Sequence, residues 1–84
     1  MPPSRIQVRF FAAARDLAGC EHVELEIEPG ATIADLRGCL IAQHPALASL
    51  LKHSLLAVGQ QYATDQTVLS DGDEVAIIPP VSGG

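Results

Sequence analysis

The residues best suited to chemistry stand at the end of the chain, which reads Val81-Ser82-Gly83-Gly84. The two glycines have no side chains, so this tail, residues 81–84, is narrow enough for a tunnel that would exclude a Cβ atom. Pro79 and Pro80 stop the preceding strand and hold a short extended stretch. The pattern predicts that the carboxylate of Gly84 is the working group, with a frayed or appended terminus as the alternative.

A carboxylate is a poor electrophile and must first receive a better leaving group. Adenylation by ATP in a partner enzyme would supply one, and a sulfur or an amine nucleophile could then attack the acyl-adenylate. Attack by sulfur gives a thiocarboxylate that stores sulfide, whereas attack by a lysine amine gives an isopeptide. Either route explains a slim end, because it must enter closed sites that exclude water.

The rest of the chain holds no recognisable catalytic constellation. His22, His44 and His53 lack metal-ligand spacing, so no metal is expected. Glycine-rich phosphate-binding motifs are also absent from the sequence, so no tightly bound cofactor is expected, and ATP would be used only by the activating enzyme. The chain is therefore not expected to catalyse a reaction alone.

Composition limits the classes of partner. The 84 residues suffice for one domain, residues 1–84, and carry a net charge of -5. This acidity argues against nucleic acid and anionic membranes as partners and favours a basic protein surface.

No export signal or membrane-spanning run is apparent, so a cytoplasmic location is expected. Cys20 and Cys39 are interpreted as small buried residues or free thiols.

Two alternating segments predict the first strands. In residues 5–11, Ile6, Val8 and Phe10 share one face and Phe11 lies on the other. In residues 22–28, apolar side chains alternate with glutamates, as in a half-buried antiparallel strand with an acidic outer face. Residues 12–18 between them favour a short helical turn that ends at Gly19.

The second half predicts a helix and further strands. Thr32 and Asp35 form a capping-box pattern for a helix that ends near Gln43, before Pro45. A second helical piece is expected over residues 46–51, followed by strands at 55–58, 67–69 and 75–78. The last strand is apolar on both faces, which predicts a central strand covered on both sides.

This order of elements describes an α+β domain with a β-grasp (ubiquitin-like) fold. It predicts a mixed sheet with one main crossover helix, in which the last strand lies centrally and parallel to the first. The tail over residues 81–84 is expected to be flexible.

The sequence resembles the MoaD family, the small sulfur carrier subunits of molybdopterin synthase. The specific features are the run from Asp71 to Ala76 (Asp-Gly-Asp-Glu-Val-Ala), the paired prolines, the Val-Ser-Gly-Gly ending and the Phe10-Phe11 pair. Gly-Gly alone is a weak signal, since ubiquitin and the thiamin sulfur carrier ThiS share it. Departures from the family pattern are Gly59, where many relatives have Asn, and Ile77-Ile78, where an aromatic pair is common.

The resemblance implies a function for the tail. An E1-like, MoeB-like enzyme would adenylate Gly84, and a sulfur donor would convert it to a thiocarboxylate. The large, MoaE-like subunit would take in the tail within a heterotetramer, and sulfur would pass to cyclic pyranopterin monophosphate in molybdenum cofactor biosynthesis. A thiamin-type carrier, a ubiquitin-like protein modifier and a plain interaction domain with an inert tail remain the alternatives.

The resemblance also implies the docking residues. Phe11, Tyr62 and Ile78 match positions through which family members dock on the large subunit, although Phe11 and Ile78 could instead be ordinary core residues. Asp71, Asp73 and Glu74 precede the strand that leads to the tail, and they are either a plain solvated turn or a site that steers a basic partner.

Overall fold

The computed structural model describes residues 2–79, so the predicted tail, including Gly84, lies outside the described residues. Within them the chain forms five strands, three short or medium α-helices and one 3-10 segment. In chain order these are β1 Ser4–Phe10, α1 Ala13–Ala18, β2 His22–Ile27, α2 Ile33–Gln43, the 3-10 segment Pro45–Leu47, α3 Ala48–Leu51, β3 Leu55–Val58, β4 Gln61–Ala63 and β5 Glu74–Ile78.

The strands form one mixed sheet in the order β2-β1-β5-β3-β4. β5 lies in the centre, parallel to β1 and antiparallel to β3. The β1–β2 hairpin is antiparallel, and the chain crosses from β2 to β3 through α2 and the short helices that follow it. This arrangement confirms the predicted β-grasp fold and the central position of the last strand.

Alternation in the hairpin sets which side chains are buried. Ile6 and Val8 are completely buried, and they pair in register with Leu25 and Val23 of β2. Because side chains alternate along a strand, these residues share the face of the sheet that α2 covers. From α2, Ile33, Leu36 and Leu40 are fully buried against that face.

The predicted capping box starts α2. The Thr32 hydroxyl accepts a hydrogen bond from the Asp35 N–H at 3.4 Å, and the Asp35 carboxylate accepts one from the Thr32 N–H at 2.9 Å. Both interactions satisfy donors that a helix N-terminus leaves free. The helix ends at Gln43, before His44 and Pro45, as expected.

Two predictions about strands were wrong. Residues 67–69 do not form a strand, because Val68 makes only an isolated bridge to Thr32. The fourth strand is instead Gln61–Ala63, which pairs with β3 after a turn at Gly59 and Gln60. Residues 2–79 also cover β5 on one face only: Val75 and Ile77 are completely buried, whereas Ala76 and Ile78 are half-buried on the opposite face.

Cys20 and Cys39 are both free and half-buried, packed against the edge of the core. Within residues 2–79, every helix is too short or too polar to cross a membrane.

Candidate functional site

The uncovered face of the sheet is apolar over β3, β4 and β5 and charged over β1 and β2. The apolar part, called the apolar surface below, consists of Phe11, Leu55, Ala57, Tyr62, Ala76 and Ile78. Most of these side chains line a shallow hollow of about 370 Å³. Exposed apolar groups gathered in this way are typical of a protein–protein contact.

Phe11 reaches this surface because the chain turns sharply after β1. It follows the last strand residue, so it is not within the strand as predicted, but it is 46% exposed and lies on the predicted face. Ala12 takes a φ of 51°, which a side chain with Cβ rarely adopts, and redirects the chain into α1. Phe10 points the other way, is 2% exposed and meets the His44 ring edge-on with 6.1 Å between ring centroids.

Strand register brings the other predicted residues together. Ala57 of β3 pairs with Tyr62 of β4 on one side and with Ala76 of β5 on the other, so these three side chains share the uncovered face. Ile78 lies next along β5 on that face, and Tyr62 is 73% exposed. Phe11, Tyr62 and Ile78 therefore line one hollow, and their role in docking stays a prediction.

Sequence reasoning missed Leu55. This residue pairs in register with Ile78 and exposes 55% of its surface, more than Phe11 does. Its neighbour Leu56 is buried, so the two leucines point to opposite faces of β3. The sequence did hold a signal for it. β3 and β5 are both apolar on their two faces, and two such strands side by side indicate a second apolar surface on the sheet.

Of the three acidic residues predicted to assist docking, only Glu74 reaches the hollow. Its carboxylate lies 3.7 Å from the Arg9 guanidinium, and both side chains are more than half exposed. An ion pair as exposed as this one contributes little to stability. Glu74 therefore has its charge available to a partner.

Asp71 and Asp73 instead hold the turn that precedes β5. The Asp71 carboxylate accepts a hydrogen bond from the Arg5 N–H at 2.8 Å, and the Asp73 carboxylate accepts one from the Ser70 N–H at 2.8 Å. The turn enters β5 at the end opposite Pro79, roughly 20 Å away at 3.3 Å per residue. Asp71 and Asp73 therefore lie at the end of β5 far from Pro79, and their role in partner binding stays a prediction.

Asp65, another acidic residue of this half of the chain, also has its charge engaged within the fold. Its carboxylate lies 2.9 Å from the Arg37 guanidinium, which also donates to the carbonyls of Leu51 and Ser54. Through these contacts Arg37 connects α2 to the segment before β3 and to the loop after β4.

β5 connects the apolar surface to the tail. Ile78, the last residue of β5, lines the hollow, and Pro79 follows it directly. Any protein that covers the apolar surface would thus hold the start of the segment that ends at Gly84.

The fold and this surface define a β-grasp protein of the ubiquitin-like class. SAMP1 of Haloferax volcanii superimposes with a TM-score of 0.89 at 29% identity, covering 96% of this chain and all of that one. A complex of subunits 1 and 2 of the molybdopterin-converting factor from Helicobacter pylori contains a chain with a TM-score of 0.70 at 26% identity. The match covers 95% of this chain and 99% of the Helicobacter chain.

Sequence comparison defines the family. The ThiS family model matches residues 8–84. The molybdopterin synthase sulfur carrier subunit of Chlamydomonas reinhardtii is 46% identical over 82 residues, which is 95% of this chain and 99% of the relative. The chain belongs to the ThiS family, among its molybdopterin synthase sulfur carrier subunits, as the motifs indicated.

Proposed function

We propose that this chain carries sulfur on Gly84 for a molybdopterin synthase. The observation that carries the proposal is the continuity from the apolar surface through β5 into the Val-Ser-Gly-Gly end of the chain. Family membership supports the sulfur chemistry, and the apolar surface supports a role as one subunit of a complex.

The proposed chemistry begins with ATP in an E1-like adenylating enzyme. The Gly84 carboxylate attacks the α-phosphate, and pyrophosphate leaves. A sulfur donor then displaces AMP and leaves a thiocarboxylate. In the synthase, that sulfur is transferred to cyclic pyranopterin monophosphate, and water restores the carboxylate. Residues 2–79 would bind and orient the tail, while the partner enzymes would supply the catalytic groups.

The large subunit of the synthase is the proposed partner of the apolar surface. Phe11, Leu55 and Tyr62 are each at least 46% exposed, so a partner that buries them would gain affinity from each. The Helicobacter complex of subunits 1 and 2 supports a partner of this kind, since one of its chains shares the fold.

Transfer of sulfur in a reconstituted system tests the proposal. The chain, the adenylating enzyme, a sulfur donor and the large subunit should together convert the pterin precursor to molybdopterin. Deleting Gly84, or adding one residue after it, should abolish transfer and leave the thermal unfolding midpoint unchanged. Transfer by the extended chain would show that the terminal carboxylate is not the carrier.

A protein modifier is the second candidate function. The high TM-score to SAMP1, a small archaeal modifier protein, favours it. The same activated Gly84 would then form an isopeptide bond with lysines of other proteins. Immunoblots for covalent ladders that disappear when Gly84 is deleted would support this role.

Membership of the ThiS family is also compatible with a sulfur carrier for thiamin synthesis, which is the alternative to the proposed role in molybdopterin synthesis. Expression of the chain in a strain that lacks its own carrier separates the two. Rescue of a molybdenum-enzyme defect is expected, and rescue of thiamin auxotrophy alone would contradict the proposed pathway.

A further inference from the structure

The outer edge of β2 offers free backbone groups for strand pairing. Among residues 2–79, β2 is the first strand of the sheet and pairs only with β1. The Phe10 N–H donates to the Glu21 carbonyl at 2.8 Å, so alternation of the ladder turns the N–H and C=O of His22, Glu24 and Glu26 away from β1. In the part of the chain that the structure describes, no hydrogen bond uses these groups.

Beside this edge lies a groove. It has a volume of about 900 Å³ and runs between the end of β2 and α2. From α2 it is lined by Ala34, Gly38 and Ala42, which are spaced by four residues and so lie on one side of the helix. The small side chains leave room for those of an added strand. We call the β2 edge and this groove the edge groove.

The charge around the edge groove is negative. Glu24 and Glu26 lie on the uncovered face of β2, and Glu28 follows the strand. The Glu24 carboxylate forms a long ion pair with the Arg5 guanidinium, at 3.9 Å. Neither Glu26 nor Glu28 takes part in an ion pair within residues 2–79. A segment that pairs with this edge would meet carboxylates on one of its faces.

We infer that the edge groove binds an extended, basic segment of a partner protein as a sixth strand of the sheet. Its backbone would bond to His22, Glu24 and Glu26. Since side chains alternate along a strand, one set would enter the groove against α2 and the other would lie beside the glutamates. The expected segment therefore alternates small or branched apolar residues with lysine or arginine.

A second copy of this chain is a poor occupant. Pairing of two β2 edges would place glutamates of both copies on the same face, and like charges opposite each other disfavour strand pairing. The edge groove is also separate from the hollow of the apolar surface, because none of the described residues lines both. A partner on the edge groove therefore leaves the apolar surface free.

The test uses peptides with the full chain labelled with ¹⁵N. The probe is acetyl-Lys-Val-Lys-Val-Lys-Val-Lys-amide. One control replaces every Lys with Glu, and a second control holds the same residues in blocks, without alternation. Only the alternating basic peptide should shift the amide signals of residues 22–28 and 34–42 and slow hydrogen exchange at Glu24 and Glu26. Added salt should weaken the binding.

Gly38 provides the matched variants. A Cβ placed there meets no atom within 4 Å, so Gly38→Ala is accommodated without a clash. Both Gly38→Ala and Gly38→Leu replace a poor helix former with a good one. Gly38→Leu fills the groove and should weaken peptide binding by about tenfold or more, whereas Gly38→Ala should change it little. Tyr62→Ala, on the apolar surface, should leave peptide binding unchanged.

A thiol measurement gives an independent reading of the site. Cys39 lines the groove and Cys20 does not, so the bound peptide should slow alkylation of Cys39 relative to Cys20. The inference is overturned if the glutamate control or the control without alternation binds as well as the probe. It is also overturned if Gly38→Leu does not weaken peptide binding, or if millimolar peptide shifts no amide signals. Shifts confined to the apolar surface would overturn it too, as would self-association of the free chain that Gly38→Leu abolishes.

Discussion

Phe10 and Phe11 are neighbours of the same residue type with opposite surroundings, so alanine at each position should have different effects. Phe10 is 2% exposed in the core, and its loss is expected to lower the free energy of unfolding by roughly 3–5 kcal/mol. Phe11 is 46% exposed, so its truncation should cost the isolated chain no more than about 1 kcal/mol. The effect of Phe11→Ala should instead appear in binding.

The size of that effect follows from the area Phe11 still exposes. A phenylalanine has about 200 Å² to bury, and the exposed 46% leaves about 90 Å² for a partner. At about 25 cal/mol per Å² this contributes about 2 kcal/mol, or roughly a thirtyfold change in Kd. Since short-range apolar contacts form after the encounter, most of the change should be a faster dissociation rate.

Surface-binding kinetics with immobilised large subunit, together with urea unfolding of each free variant, measure both quantities. Phe11→Ala should dissociate faster from the large subunit while keeping a nearly unchanged unfolding midpoint. Phe10→Ala should lower the unfolding midpoint, and the fraction that remains folded should dissociate from the large subunit at the original rate. If Phe11→Ala unfolds as Phe10→Ala does and its folded fraction dissociates at the original rate, Phe11 is a core residue and the apolar surface is misassigned.

Four further substitutions test the roles of helix capping, backbone strain, a turn hydrogen bond and charge. Thr32→Ala removes one half of the capping box and should lower the free energy of unfolding by about 1 kcal/mol in urea titrations; an unchanged value would mean that the box is not formed in solution. Ala12→Gly relieves the φ of 51° and should raise that energy by about 1 kcal/mol, whereas a lower value would contradict the assigned backbone conformation. Asp71→Ala should destabilise the chain by about 1 kcal/mol because the Arg5 N–H loses its partner. Glu74→Lys should leave stability unchanged and slow association with a basic partner, most clearly at low salt; equal association rates at all salt concentrations would exclude steering by Glu74.

The sequence predicted the parts of the fold that depend on local patterns. Strict alternation of apolar residues and glutamates in β2 allows only one buried face, and the Thr32–Asp35 pair marks a helix start by its own hydrogen bonds. The strand assigned to residues 67–69 failed because Val68 has a partner only at Thr32. β4 was missed because Gln61, Tyr62 and Ala63 are too few to show a period and become a strand only through pairing with β3.

The candidate site was predicted in part. Parity along the strands placed Phe11 and Ile78 opposite buried neighbours, which the structure confirms. The second apolar face of β5 was predicted to be covered within the domain, but it belongs to the exposed apolar surface. Composition alone does not distinguish a core face from a docking face. Asp71 and Asp73 precede the strand that leads to the tail, and only the structure shows how far the length of that strand separates them from Pro79.

The central claim is that Gly84 carries sulfur, and intact mass spectrometry tests it most directly. The chain should be incubated with its adenylating enzyme, ATP and a sulfur donor, beside a version with one extra residue after Gly84. A sulfur-for-oxygen exchange that fragmentation assigns to Gly84 is expected in the natural chain, and no such exchange is expected in the extended one. An unchanged mass for the natural chain, or the same exchange in the extended chain, would contradict the claim.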